Sequence, residues 1–255
     1  MRGTDRDAGF RGDDRGVSET VGFVLVFALI ATTIAVTFTV GFGGLEDARL
    51  AERDNNVERA FDVLHDSFND LGRDGVPSRA TEIRLGGGRV AFTSDSSYEI
   101  RNATGGTIES STTGITYFGA GDTRIRYEHG AVIRSDGGGS IMLHEPDLML
   151  GETTLIRLVD VTSHGSDGVA GDGTVLVRAS LTGDRTATEV TDNVTIRIRG
   201  PTADAWERYF ESRRDGSDRI DSVNLTGDEL TVNMSVSGEN RLVVHRTGTR
   251  VEFTD

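Results

Sequence analysis

The chain has 255 residues, a formal net charge of −14 and no cysteine. That length suits one large domain or two small ones. The acidic balance argues against nucleic-acid binding, which requires a basic patch. The lack of cysteine excludes disulfide scaffolds, cysteine metal sites, thiol nucleophiles and lipidation on a cysteine.

Residues 1–16 are a polar leader, MRGTDRDAGFRGDDRG, in which four arginines and four aspartates cancel. No apolar periodicity runs through this leader, so we expect it to be disordered. The charged residues of the leader all precede the long apolar segment that follows, and none lies within it.

The stretch Thr20–Leu45 contains no charged residue. Its core, Val21–Val40, would span roughly 30 Å as a helix, which is the hydrocarbon thickness of a bilayer. We therefore predict a transmembrane helix over residues 17–45. The alternatives are a buried core helix and a secretory signal peptide. Both usually have shorter apolar runs, and no small-x-small cleavage site follows this one.

Directly before this run lies the segment Asp14–Glu19 (DRGVSE). This segment, together with the hydrophobic helix that follows it, resembles the class III signal peptide of haloarchaeal type IV pilins and pilin-like proteins. The resemblance implies that a prepilin peptidase cuts between Gly16 and Val17 and leaves the helix on the mature protein. Glu19 would then be mature residue three, whereas bacterial type IV pilins carry a glutamate at position five. Glu19 is accordingly either an assembly contact with a neighbour's N-terminal amine or a simple interfacial carboxylate.

The 27 basic residues are all arginine, and they are outnumbered by 41 acidic residues. An acidic, hydrated surface keeps a protein soluble where salt screens charge repulsion. This composition resembles that of extreme halophiles, haloarchaea in particular. An ordinary acidic protein is the alternative, although chance rarely removes every lysine from a chain of this length.

After Leu45 the pattern becomes charged but stays helical, which predicts an amphipathic extension over residues 46–72. Its apolar stripe recurs every three or four residues and consists of Val57, Ala60, Phe61, Leu64, Phe68 and Leu71. We expect Gly72 to follow the last helical residue and Pro77 to prevent continuation. The stripe packs either on the chain's own head or on a coiled-coil partner, and its shortness favours the head.

From residue 79 to 255 the apolar period is mostly two, which predicts a β-rich, mainly antiparallel head. Glu128-His129-Gly130 is expected to form a hairpin turn. One helix, Thr202–Arg214, interrupts the strands, and its aromatic residues Trp206, Tyr209 and Phe210 are expected to pack on a sheet. The predicted strands are Glu82–Leu85, Arg89–Thr93, Ser97–Arg101, Gly114–Phe118, Thr123–Glu128, Ala131–Arg134, Ser140–His144, Thr153–Thr162, Thr174–Leu181, Asn193–Arg199, Arg219–Leu225, Glu229–Ser235, Arg241–Arg246 and Arg250–Phe253.

No catalytic constellation stands out in the sequence. The five histidines are scattered, with no zinc-ligand spacing, and no phosphate-binding glycine motif is present. The loop of residues 167–173, DGVAGDG, could hold calcium weakly, but it lacks EF-hand spacing. We therefore expect no catalytic residue, no metal and no cofactor.

Four Asn-x-Ser/Thr sequons follow the apolar segment, at Asn102, Asn193, Asn224 and Asn233. They are N-glycosylation acceptors if the head is external, and chance triplets otherwise.

The sequence therefore predicts an α+β, single-pass membrane protein with a cytoplasmic leader and an extracellular head. The resemblance implies a pilin-like structural or accessory subunit of a surface filament, not an enzyme. Its expected partners are the membrane, a prepilin peptidase and other subunits that bind through the N-terminal helix. Two alternatives stay open: a non-polymerising surface protein that acts as a binding module, and a membrane-tethered hydrolase whose catalytic residues follow no familiar motif.

Overall fold

The computed structural model describes residues 14–110, 113–119, 121–236 and 241–254. The chain divides into two compact units, residues 1–51 and 52–255. The described part of the first unit is helical and belongs to α1, which runs from Asp14 to Asn69 and so also contributes to the second unit, the head. The fold is α+β, as the sequence predicts.

Helix α1 continues into a π-helical turn, Asp70–Asp74, and ends at Gly75. Gly75 has a left-handed φ of 69°, and its N–H bonds to the carbonyl oxygen of Asp70. The prediction that Gly72 follows the last helical residue is therefore wrong. The extra turn keeps Leu71 fully buried, and Gly75 takes the left-handed backbone that favours glycine.

The head contains sixteen described strands and the short helix α2, Ala203–Arg214. In chain order the strands are β1 (Ser78–Arg84), β2 (Arg89–Thr93), β3 (Ser97–Asn102), β4 (Thr107–Glu109), β5 (Gly114–Phe118), β6 (Thr123–Glu128), β7 (Ala131–Asp136), β8 (Gly139–His144), β9 (Leu148–Met149), β10 (Thr153–His164), β11 (Gly168–Ala170), β12 (Thr174–Val190), β13 (Val194–Arg199), β14 (Ile220–Thr226), β15 (Glu229–Met234) and β16 (Arg241–Thr254).

These strands form three sheets. Sheet A has the order β1-β12-β16-β10-β9, sheet B the order β11-β2-β5-β6-β7-β8, and sheet C the order β14-β15-β13-β3-β4. Among the described pairs, β10 and β16 run parallel and all the others run antiparallel. The mainly antiparallel head is thus confirmed.

The two strands predicted at the C-terminal end are one strand, β16. Gly248 lies at its middle, where the pairing with β12 shifts register between Leu181 and Arg185. A Cβ on Gly248 would lie 2.4 Å from the hydroxyl of Thr182, so a larger residue at that position would have to displace the Thr182 side chain.

Two hydrophobic cores lie in the head. The first core surrounds the apolar stripe of α1, in which Phe61 and Phe68 are fully buried, and it includes side chains of sheets A and B. The ring of Phe68 stacks on Tyr127, with centroids 4.3 Å apart. The prediction that the stripe packs on the chain's own head is confirmed.

The second core surrounds α2 and includes side chains of sheets A and C and of β7 in sheet B. Trp206, Tyr209 and Phe210 are all buried there, as predicted. In β10, Leu158 belongs to the second core and the next residue, Val159, to the first. Because successive side chains point to opposite faces of a strand, sheet A presents one face to each core.

Candidate functional site

The most conspicuous feature of the first unit is an uncovered apolar surface on α1. Fourteen large apolar side chains between Val21 and Leu45 are 52–71% exposed. Within the part of the chain that the structure describes, one helix is long and apolar enough to cross a membrane. None of its most apolar window is buried, which argues against a core helix.

The threonines in this surface do not expose unpaired hydroxyls. Four of them donate a hydrogen bond to the carbonyl oxygen four residues earlier, at distances of 2.7–2.9 Å. These are Thr32, Thr33, Thr37 and Thr39. Such internal bonding removes the main polar obstacle to placing a threonine-containing helix in lipid.

The residues of the predicted cleavage site lie at the start of this helix. Gly16, Val17 and Glu19 fall within α1, but their side chains lie outside what the structure describes, as do residues 1–13 altogether. Since α1 begins at Asp14, the Gly16–Val17 bond is in helical backbone. A peptidase would have to unwind this turn, and glycine lowers the free energy needed to do so.

In the head, the buried carboxylate of Glu128 links sheet B to α2 and also forms an ion pair within β6. Glu128, at the end of β6, is 1% exposed and accepts hydrogen bonds from the Thr202 hydroxyl and the Trp206 indole N–H. Its carboxylate also lies 3.3 Å from the guanidinium of Arg126, which pairs with Asp95 at 2.8 Å as well. Burial alone would raise the pKa of Glu128, but the neighbouring Arg126 guanidinium and these two hydrogen bonds hold that pKa below its usual value.

The next residue, His129, occupies the β6–β7 hairpin turn that the sequence predicts. It has a φ of 48° and Gly130 has a φ of 85°, which are the positive values of a two-residue type I′ turn. The imidazole is buried against the ring of Tyr98, and neither ring nitrogen has a hydrogen-bond partner among the described residues. Burial lowers the pKa of His129, which therefore stays neutral at pH 7.

A polar cleft of about 320 Å³ opens beside this ion pair. The guanidinium of Arg124, one of its wall residues, lies over the Phe118 ring at 5.7 Å from the centroid. The walls are formed by Asp122, Arg124, Arg126, Ser135, Gly137, Gly139, Pro201 and Thr202. Ligand pockets of this size are usually mostly apolar, so a polar cleft would suit a polar ligand.

Two of the histidines that look scattered in the sequence are neighbours in the structure. The rings of His65 on α1 and His144 on β8 stack with centroids 5.2 Å apart. His65 Nε2–H donates to the Gly130 carbonyl oxygen at 3.1 Å, and His144 lies 3.3 Å from the carboxylate of Asp62. Burial and the nearby His144 lower the pKa of His65. Sequence spacing carries no signal for this pair, because the fold alone brings the two elements together.

The four sequons all lie in or beside sheet C. Asn102 ends β3, Asn193 directly precedes β13, Asn224 lies in β14 and Asn233 in β15. Asn193 and Asn224 are exposed, and Asn102 and Asn233 are half-buried.

The aspartate-rich loop of residues 167–173 contains the short strand β11, which pairs with β2. Among the described residues, no group of three or more His, Asp or Glu side chains could hold a metal ion.

A family model matches residues 15–252, and the matching family is described as a family of unknown function (DUF7289). No curated protein and no solved structure matches the chain.

Proposed function

Because the chain belongs to DUF7289, a family of unknown function, its role must be argued from its own residues, and we propose that it is a type IV pilin-like cell-surface protein. In this proposal α1 anchors the protein in the cell membrane by a single pass, with the head outside. The protein serves as a structural or accessory subunit of a surface filament, and it has no catalytic role.

The observation that carries the proposal is the exposed apolar surface of α1. Fully burying one large apolar side chain is worth about 1.5–3 kcal/mol. Covering the fourteen side chains between Val21 and Leu45 is therefore worth on the order of 20 kcal/mol. A surface of that magnitude does not stay in water. A bilayer covers it in the anchored protein, and the helices of other subunits cover it in a filament.

The motif at the start of α1 supports the filament over a simple anchor. Cleavage between Gly16 and Val17 by a prepilin peptidase would remove the charged leader, which holds the helix at the cytoplasmic surface. The new α-amino group at Val17 would then lie near Glu19 in sequence and could neutralise its charge. An uncharged helix start can leave the bilayer and join a helical bundle at a lower desolvation cost.

The polar cleft beside Arg124 and Arg126 favours one alternative, a non-polymerising surface protein that acts as a binding module. Its volume of about 320 Å³ lies within the range of small-ligand sites. Both functions share the membrane anchor and the external head, and they differ in whether α1 leaves the bilayer.

The test uses full-length protein in a halophilic archaeal host. N-terminal sequencing of the membrane-bound protein should give Val17, and mass spectrometry of sheared cell-surface filaments should detect the head. Gly16→Trp should leave the uncut precursor, because a bulky side chain at the cut is not accommodated. Gly12→Trp is the matched control within the leader and should be processed normally.

Each outcome separates the alternatives. A Val17 terminus with the protein in sheared filaments supports the pilin-like function. A Val17 terminus with the protein only in the membrane, as a monomer, favours the binding module. Retention of residues 1–16 contradicts the pilin-like proposal, and a terminus after about Gly41 contradicts anchoring altogether.

A further inference from the structure

Sheet C presents a polar face away from the second core. Its strands bury Val223, Leu230 and Ile196, and the alternate residues point outward. On this outer face, Asn224 of β14 is paired with Thr231 of β15. Ser222 is likewise paired with Asn233, so two sequon asparagines lie on neighbouring strands of one surface.

The two asparagines are held very differently. The Asn233 amide is engaged at both ends: its Nδ2 donates to the Ser222 hydroxyl at 2.9 Å, and its Oδ1 accepts from the Thr195 hydroxyl at 2.9 Å. It is half-buried and lies on β15, between β14 and β13. A sugar on Nδ2 would replace one of its two hydrogens and would have to fit among the side chains of β14 and β13 on either side. A half-buried amide held at both ends is therefore a poor glycan acceptor in the folded head.

Asn102 and Asn193 are intermediate cases. The Oδ1 of Asn102 accepts from the Gly106 N–H, and the Oδ1 of Asn193 accepts from the Val236 N–H at 2.9 Å. Both side chains thus fasten a turn or a strand end, and their orientation is fixed by that contact.

Asn224 has neither restriction. It is exposed, its sequon hydroxyl Thr226 is exposed on the same face, and β14 is one of the two edge strands of sheet C. Within the described residues its amide has no hydrogen-bond partner that a glycan would displace. We propose that Asn224 carries an N-linked glycan. The inference rests on the proposed function in one respect, since it requires an external head.

The modification needs a sugar donor of the lipid-phosphate-linked oligosaccharide class. The Asn224 amide nitrogen forms a bond to the anomeric carbon of the first sugar, and the bond from that carbon to the phosphate oxygen breaks. The lipid phosphate leaves with the electron pair, and the amide gives up one proton. No oxidant or reductant takes part.

A glycan at this position has a physical consequence for the sheet. Among the described strands, β14 has a neighbour in sheet C on one side only, and open edges invite pairing with a second copy of the chain. A bulky, hydrated sugar at mid-strand hinders such edge-to-edge pairing.

The experiment expresses the full chain in a halophilic archaeal host that glycosylates its surface proteins, followed by glycopeptide mass spectrometry. Cleavage after Glu229 separates the Asn224 peptide from the Asn233 peptide. We expect glycan mass on Asn224 and none on Asn233. Thr226→Ser, which preserves the sequon, should keep the added mass. Thr226→Ala, which destroys the sequon without touching Asn224, should lose it, as Asn224→Gln should.

Protease accessibility of the head on intact cells distinguishes the two ways to fail. A head that is protected from external protease contradicts the proposed function. An external head with Asn224 unmodified, or with Asn233 modified in folded protein, overturns the inference and leaves the proposed function standing. For the edge, light scattering of detergent-solubilised protein should show more self-association for Thr226→Ala than for Thr226→Ser. Equal association would overturn the shielding role alone.

Discussion

The sharpest test of the head's architecture is the substitution Phe68→Ala in α1. Phe68 is fully buried in the first core and stacks on Tyr127. Truncating a buried phenylalanine typically costs about 3–5 kcal/mol, because apolar contacts are lost and a cavity remains. Losing the ring stack adds about 0.5–1.5 kcal/mol. Alanine is the better helix former, so any loss of stability comes from packing and not from the helix.

We expect Phe68→Ala to lower the free energy of unfolding by about 4 kcal/mol. For a domain of this size, this corresponds to a drop in melting temperature of about 8–16 °C. The measurement is thermal unfolding of the full chain in detergent and molar KCl, followed by near-UV circular dichroism. Val63→Ala is the matched control on the same helix: Val63 is 53% exposed, and its loss should change stability by less than about 0.5 kcal/mol. Equal effects of the two substitutions would refute the packing of α1 in the first core.

Three further predictions concern charge. Glu128→Gln should destabilise the head by about 3–5 kcal/mol, because it breaks a buried ion pair. Glu229→Gln removes one partner of a solvent-exposed ion pair with Arg199 and should leave the melting temperature almost unchanged. Similar melting temperatures for both variants would contradict this. Burial lowers the pKa values of His65 and His129, so the unfolded chain takes up these protons at higher pH. Stability should then be complete only well above the unfolded histidine pKa of about 6.5 and should fall as the pH drops through that value towards about 5. A flat melting temperature from about pH 8 to about pH 5 would refute it. With 41 acidic residues and no lysine, the head should lose its cooperative melt on dialysis from molar KCl into dilute buffer.

Local pattern was enough to predict most elements of the head. The alternation in Thr195–Arg199 and the aromatic spacing around Trp206 are periodic signals within a few residues, and the corresponding strand and helix are present. The stripe through Phe61 likewise predicted both the helix and its buried face. These predictions succeeded because each element has one apolar face that the core must cover.

The features that the sequence could not predict are formed by contacts between residues far apart in the chain. The second half of β12, residues 182–190, is mostly exposed and has no apolar face. It is a strand because it pairs with β16 after the register shift. The short strands β4, β9 and β11 are likewise present only through their neighbours. The same holds for the candidate site: Glu128 looked like a turn residue, and only the fold brings Thr202 and Trp206 to its carboxylate.

Sheet A contributes to both hydrophobic cores, and this sharing leads to a last prediction, which concerns cooperative unfolding. Strands β10, β12 and β16 each contribute side chains to both cores, so neither core can lose its share of the sheet without disturbing the other. Trp206, the single tryptophan, lies in the second core, whereas Phe68 lies in the first. In Phe68→Ala, the midpoint of thermal unfolding followed by tryptophan fluorescence should therefore fall by as many degrees as the midpoint followed by far-UV circular dichroism. An unchanged fluorescence midpoint beside a lowered dichroism midpoint would show that the cores unfold independently and that the shared strands do not couple them.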